Sequence, residues 1–437
     1  MFRGCFLREA ALFGSVSEFH LFEADTGADF DRLLYTPLGG CGKMDGGKME
    51  ERVQNTISEE DWFRNKVYWL SFLFSLLVVW AHSLNGELFV TGEQELETVQ
   101  QLEHLAASQL AQIAVPGFFM ISAYLFYRNF QLNSLFSKWR SRSRTILRPY
   151  LLWNSLYYGA YAAATRIPAI CQIIGKPPVP LTAGEFLKAL LHYGYNPVFW
   201  YLFQLILLIL LAPVLYVLLK KNVRGLLFLL FLILCLWKGV SFPWLNLDAL
   251  FYYSAAAFFA LRREQLGNYL ERRPAESLKE RWKHLFIQIT ILSFFFWLLQ
   301  ITDLPAAPLH GHPLHTVLTR LWGVCTAVCL IRIIPLPPAA DLIKNSFFLY
   351  AVHFPWVRLL NKTAALILPS TPASALFMFI LMPVFIIIIT CIISSSMKKN
   401  FPGTYFVLSG GRGRRKGDER KTSGREDPCK NRKSMLF

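Results

Sequence analysis

VYWLSFLFSLLVVWAHS, residues Val67 to Ser83, is apolar over a length that crosses a bilayer and carries one ionisable side chain, His82. A spanning helix needs about 20 mostly apolar residues. A titratable group inside such a segment is costly, which makes it a functional candidate by default. The rest of the chain reads as further segments of the same kind, gathered around this helix.

Composition supports that reading. Of 437 residues, 54% are hydrophobic and 15% aromatic, more than a soluble domain of this length carries. The apolar residues fall in separate blocks of spanning length rather than in short alternating strands, which excludes a barrel. The expected fold is all-α: a polytopic integral membrane helical bundle of about ten transmembrane helices. The expected spans are 67–85, 109–127, 147–165, 197–219, 225–242, 248–262, 284–302, 315–335, 346–368 and 374–396. An acidic linker, 86–108, follows the first span, and a longer loop, 166–196, precedes the fourth.

The formal charge of +16 would point to nucleic acid in a soluble protein. Here Lys and Arg sit in the linkers after spans two, four and six and in the C-terminal tail, where the positive-inside rule puts them. Both termini are therefore expected in the cytoplasm, with the lipid bilayer as partner and no nucleic acid. None of the eight cysteines forms a C-x-x-C pair, and they read as small buried residues. Three segments are expected. Residues 1–61 form a soluble or disordered front, of which 1–43 reads as disordered or as an over-extended gene start, with Met44 or Met49 as the alternative beginning. Residues 62–398 form the membrane domain, and 399–437 a basic disordered tail.

His82 lies about 22 Å beyond Val67, and His353 about 11 Å beyond Ser346, at 1.5 Å rise per residue. Each imidazole can take a proton from a hydroxyl or hold two helices together. Pro116 and Gly117 can break the second span around Ser122, which either meets a substrate oxygen or satisfies a freed carbonyl. Arg128, Arg142, Arg144 and Arg148 flank the inner ends of spans two and three, as anchors or as a phosphate clamp. Asn196, Trp200 and Tyr201 open the fourth span, where aromatics usually form an interfacial belt. His310, His312 and His315 are closely spaced, but only Asp303 could join them, so no metal is expected.

The order of these segments resembles the membrane-bound acyltransferase 3 family. FSLLVVWAHS, ending at Ser83, is similar to the family's first helix, an apolar run closing on His. VPGFFMISAYLF resembles the second helix, and TILRPYLLW the basic entry to the third. NPVFWYLFQLILLILLAP resembles the helix that opens on a W-[FY]-L pattern, and SFFLYAVHFP the late Y-x-x-H segment. Together these cover roughly residues 62–396. The resemblance implies that His82 and His353 are catalytic, that Ser122, Trp200, Tyr201 and Tyr350 line the substrate site, and that Arg128, Arg144 and Arg148 meet the donor. Two positions depart from the pattern: Ser71 stands where many members carry Arg, and Ala123 replaces a Gly.

The implied activity is acyl transfer, acetyl being the usual group, from acetyl-CoA or another acyl-CoA to a hydroxyl of a cell-surface glycan or glycolipid, in the cell membrane. A transporter or flippase could use the same kinked helices and buried histidines, and the substitution at Ser71 keeps a catalytically silent scaffold open.

Overall fold

The computed structural model describes residues 46–174, 177–273, 277–303 and 311–411. The expected front segment 1–43 and the tail from 412 lie outside the described residues. The chain divides into two units, the first ending at Glu60 and the second running from Asp61. Among the described residues of the first unit are only the opening turns of helix α1 (Gly46–Ala81). All that follows concerns the second.

Every regular element among the described residues is helical. After α1 come a short α2 (Gly86–Phe89) and α3 (Glu93–His104), which continues through two irregular turns into α4 (Ala114–Tyr127). Then follow α5 (Leu135–Arg142), α6 (Arg148–Ala164), α7 (Ala183–His192), α8 (Trp200–Leu210), α9 (Ala212–Leu219), α10 (Asn222–Trp237) and α11 (Leu247–Ala260). The last are α12 (Leu278–Thr302), α13 (Pro313–Ile333), α14 (Ser346–Ile367), α15 (Pro372–Asn400) and α16 (Pro402–Leu408).

Four stretches are long and apolar enough to cross a membrane: Glu93–Tyr127, Trp282–Thr302, Pro313–Ile333 and Pro372–Asn400. A fifth results if α7 and the helix Pro197–Leu210, bent by 48° from it, count as one broken span. Helix α12 turns Phe286, Phe294 and Trp297 outward. An apolar face of that size suits lipid as its solvent.

Three features differ from the sequence expectation. The acidic stretch 86–108 is not a linker, because α3 runs on into the second span as one 35-residue stretch. The loop 166–196 contains α7, whose Thr182 caps it by accepting from Glu185 N–H at 3.2 Å. Packing also continues past 398: Tyr405 and Leu408 of α16 are buried, and Trp153 Nε1–H donates to the Leu408 carbonyl at 3.0 Å.

The continuity of α3 has a local cause. Glu103 is 2% exposed. Its carboxylate accepts from Asn85 N–H at 3.0 Å and Gly86 N–H at 3.4 Å. Those are the orphan donors at the start of α2, which an acidic side chain satisfies well. The Asn85 side chain donates to Asn361 Oδ1 at 3.2 Å, and Asn361 donates to the Ser83 carbonyl at 3.2 Å. The turn after His82 is thus bound to both α3 and α14.

Helix α4 forms its most extensive contact with α11 and also meets α1 at Gly117. A Cβ there would lie 2.1 Å from a ring carbon of Phe74, itself fully buried. A small residue at a helix crossing lets membrane helices approach closely.

Gly117→Ala should lower stability by about 1–3 kcal/mol, the usual cost of overpacking, read as a fall in melting temperature in detergent. Phe74→Leu in the same chain should restore part of it. Glu103→Ala strands two buried N–H groups, each worth about 1–3 kcal/mol. It should therefore melt earlier than Glu103→Gln, which keeps one acceptor oxygen; equal melting would show that the carboxylate does not hold this turn.

Candidate active site

His82 and His353 meet. Their ring centroids are 5.5 Å apart, although the rise from the presumed start of each span puts them at different depths. The offset disappears because the two helices do not start level. The residues after α13 run back along α1: Lys66 Nζ–H donates to the Ile334 carbonyl at 2.5 Å, Trp69 Nε1–H to the Pro337 carbonyl at 2.9 Å, and Ala339 N–H to Asn65 Oδ1 at 2.7 Å. Helix α14 therefore begins partway up α1. The Ser75 hydroxyl, shared with the Ser71 carbonyl, reaches the Ser346 carbonyl at 3.3 Å. From Ser75 to His82 and from Ser346 to His353 is the same number of residues. The imidazoles consequently lie side by side, each about 10 Å beyond that contact.

The two rings have different surroundings. Helix α1 ends at Ala81, so half-buried His82 opens a turn. His353 lies inside α14 and is fully buried. Its Nδ1 is 2.6 Å from the Tyr350 carbonyl, which can only accept. Nδ1 therefore carries a proton, and in the neutral ring that leaves Nε2 as a lone pair. That Nε2 is buried without a partner among the described residues. An unsatisfied buried acceptor beside a second imidazole is a place for an incoming hydroxyl or N–H. Phe354 packs edge-on against His82 with centroids 5.4 Å apart, and the Arg358 guanidinium lies 5.4 Å from the centre of the same Phe354 ring. A cation thus stands beside the histidine pair.

The other expected residues sort into groups. Tyr350 is 5.9 Å from His353 and 6.0 Å from Tyr201, centre to centre, and stacks on Phe199. Its hydroxyl donates to the Val198 carbonyl, so Tyr350 offers its ring to the site and not its O–H. Ser122 and Tyr201 share a hydrogen bond at 3.3 Å, with Tyr201 against the Tyr350 ring. Trp200 packs on Phe119 instead, centroids 6.4 Å apart. A column of rings therefore runs from His82 through His353 and Tyr350 to Tyr201.

At its Tyr201 end stands Arg142, close enough to the Tyr201 and Tyr253 phenols for electrostatic interaction. Arg128 and Lys138 belong to the same floor. Arg128 lies over Phe63 at 5.0 Å and 4.0 Å from Glu271. Lys138 Nζ–H donates to the Phe126 carbonyl at 2.5 Å, closing the end of α4. Burial, then the Arg142 and Arg128 charges, push the Lys138 ammonium down to about 8. Arg144 and Arg148 are exposed and stand outside this group.

Arg358 and Lys138 were missed as site residues. Lys138 looks like its neighbours in a basic linker, and Arg358 follows a histidine by five positions with nothing in its surroundings to mark it.

His312 and His315 are engaged elsewhere. His312 Nδ1 accepts from Leu314 N–H at 3.1 Å, and its Nε2–H donates to the Trp237 carbonyl at 3.0 Å. His315 lies 3.7 Å from Asp303. His310 is outside the described residues, and among those described no three His, Cys, Asp or Glu side chains converge on a metal position.

Comparison with known proteins adds one finding. A family model described as an acyltransferase domain matches residues 67–397, from the start of the His82 segment into the last turn of α15. No curated protein and no solved structure matches the chain significantly. The matched region is far more than half of the sequence and contains both histidines, the ring column and Arg142: the chain belongs to the acyltransferase 3 family.

Proposed function

We propose that this protein is a multi-pass acyltransferase of the cell membrane that moves an acyl group, acetyl in the simplest case, from acyl-CoA to a hydroxyl of a cell-surface saccharide or glycolipid. The observation that carries the reading is the pair of imidazoles brought to one level, one half-open and one buried with a bare Nε2. In this reading about ten segments cross the bilayer and both termini are cytoplasmic. The histidine end of α1 then faces outward and the Arg142 floor inward, which suits an external acceptor and a cytoplasmic donor.

His82 takes the proton of the acceptor hydroxyl as its oxygen attacks the thioester carbonyl. His353, held by the Tyr350 carbonyl, lies beside that imidazole and keeps its bare Nε2 as an acceptor for a hydroxyl or N–H drawn into the site. Negative charge develops on the former carbonyl oxygen, and the Arg358 guanidinium is the nearest cation to receive it. The tetrahedral intermediate collapses, the C–S bond breaks, and the departing thiolate takes the proton back from His82. Ser122 and Tyr201, which bond each other and meet the Tyr350 ring, are assigned to the donor's path. Arg142, Arg128 and Lys138 attract the donor's phosphates. Arg142 supplies inside the bundle a charge that Ser71 cannot supply from the first helix.

A transporter would also use a broken span like α7–α8. Here the break is fastened. Tyr350 bonds the Val198 carbonyl, and Tyr150 O–H donates to the Leu191 carbonyl at 3.2 Å. Those bonds favour a fixed wall over a moving gate.

Transfer of labelled acetyl from CoA to envelope glycan in proteoliposomes is the test. His82→Ala should reduce it by about 10²–10⁴-fold, the range of a lost general base. Arg358→Gln should cost about 10²-fold or more, with both variants folded and inserted. Undiminished transfer by His82→Ala would end the assignment. The Lys138 charge is present below about pH 8 and lost above it, so the donor KM should rise between pH 7.5 and 9. In Lys138→Arg that rise should flatten; an unchanged slope would remove Lys138 from the donor floor.

A further inference from the structure

One polar cluster belongs neither to the histidine pair nor to the Arg142 floor. It draws on three elements: Asp248 in the first turn of α11, Arg320 in α13, and Gln112 in the irregular turns that lead into α4. We propose that this cluster binds hydroxyl groups of the acceptor saccharide, at a sugar unit set back from the one that receives the acyl group. The inference rests on the reading of this protein as an acyltransferase with a saccharide acceptor.

The cluster is fixed in place but not closed on itself. Tyr252 O–H donates to the Val317 carbonyl at 3.0 Å and holds α11 against α13. Gly323 lets α13 approach the entry of α4, where a Cβ would lie 2.6 Å from Ile113 Cγ2. Gln112 is held at both ends of its amide. Its Nε2–H donates to the Ala107 carbonyl at 3.3 Å, and its Oε1 accepts from Arg320 Nη2–H at 3.3 Å. The π-type turn Leu105–Leu110 precedes it, and such turns often mark functional sites. The Arg320 Nε–H, by contrast, is buried without a partner among the described residues. Asp248 is half-buried and within electrostatic reach of Arg320. No hydrogen bond or ion pair joins the two, and the Asp248 carboxylate accepts from nothing among the described residues.

A carboxylate and a guanidinium drawn out of water but not into contact leave hydrogen-bonding capacity unused, which is costly in a membrane bundle. Arg320 repels a cation and Asp248 an anion. A neutral ligand rich in O–H groups suits both, because one hydroxyl can donate to a carboxylate and accept from a guanidinium. The cluster also lies at the right end of the bundle. Phe63 meets Tyr124, centroids 6.0 Å apart, and Phe74 meets Gly117, so α1 and α4 run antiparallel. From Phe74 on to His82 is about 12 Å of rise, and from Gly117 back to Gln112 roughly 8 Å in the same direction. Helix α4 touches both α1 and α13, and packed helices lie about 8–10 Å apart. The cluster is therefore level with His82 to within a turn and at most about two helix spacings, ~20 Å, to its side. One sugar ring does not cover that span, and an oligosaccharide does.

The full chain in nanodiscs tests this, with the envelope glycan of the producing cell supplied as single sugar units and as longer oligosaccharides. Asp248→Asn and Arg320→Gln should each raise the acceptor KM about tenfold or more, the worth of one to two charge-assisted hydrogen bonds. The rise should be confined to the longer chains and absent from the donor KM, and Arg320→Lys should recover part of it. An equal change for all chain lengths, or none in folded Asp248→Asn, overturns the inference. The double variant Asp248→Asn, Arg320→Gln covers the case in which a single variant misfolds. A merely structural pair is relieved when both charges go, so a return to the wild-type KM also overturns it, and a persisting loss supports it. Titration of the oligosaccharide into His82→Ala separates the two claims. Binding there should match the wild type and fall about tenfold when Asp248→Asn is added. If that dependence holds while the wild type transfers no acyl group, the proposed function fails alone. If transfer proceeds without the dependence, the saccharide subsite fails alone.

Discussion

The height at which α14 starts along α1 is the constraint on which the site depends. It is set by the strap Ile334–Ala339, pinned through backbone groups to Asn65, Lys66 and Trp69. A shift of one helical turn moves a side chain about 5.4 Å, as far as the whole separation of the two imidazole centres. Such a shift would pair His353 with apolar side chains of α1 and leave His82 alone. At the other end, the Asn361 bonds to Ser83 and Asn85 hold the same register. Interhelical hydrogen bonds in membranes contribute about 0.6 kcal/mol each on average. No single one fixes the pairing, but a set at both ends leaves one register that satisfies all of them.

The polar residues along this seam share that logic. A carboxylate or amide in hydrocarbon is tolerated only with its partners in place. Glu103 finds the N–H groups of Asn85 and Gly86, and Asn361 finds Ser83 and Asn85. The turn that carries His82 is therefore fixed by groups that could not be left unpaired. Rigidity where chemistry occurs comes here from satisfying backbone donors, with apolar packing, such as Phe74 against Gly117, supplying the rest.

Much of this architecture was legible in the sequence, for identifiable reasons. Blocks of apolar residues announce helices because hydrocarbon admits little else, and a lone histidine near the end of such a block stands out against it. Both histidines stood out that way; Ser122 and Tyr201 were separate candidates on two spans, and Tyr350 came only with the family resemblance. The register was not legible. Ser75 and Ser346 are 271 positions apart, and their alignment depends on a strap whose Pro-rich sequence gives no measure of where it attaches. Glu103 was hidden by company: in a stretch rich in Glu and Gln, one buried carboxylate looks like its exposed neighbours. Lys138 was hidden in the same way among the basic residues of its linker, where Arg128, Arg142, Arg144 and Arg148 stood out alike and nothing marked Arg142 as the one that reaches the tyrosines.

On the proposed reading, the separation of charge from chemistry follows from the cost of burying ions. The histidine pair lies at one end of α1 and the cations of the inner floor near the other. A phosphate carried to the histidines would lose most of its hydration in the bundle, and a free carboxylate or thiolate would do little better. A donor whose phosphates stop at the floor while a neutral thioester continues along Tyr201 and Tyr350 avoids that penalty. The rings between the two ends suit such an arm: they are apolar, fixed by stacking, and offer few groups that would have to be desolvated. A saccharide hydroxyl at the half-open His82 likewise never has to enter the column. The reaction can then join substrates from opposite sides of the membrane with only a neutral acyl group placed at depth, and the only cation required near it, Arg358, is exposed at the outer end, where water still reaches it.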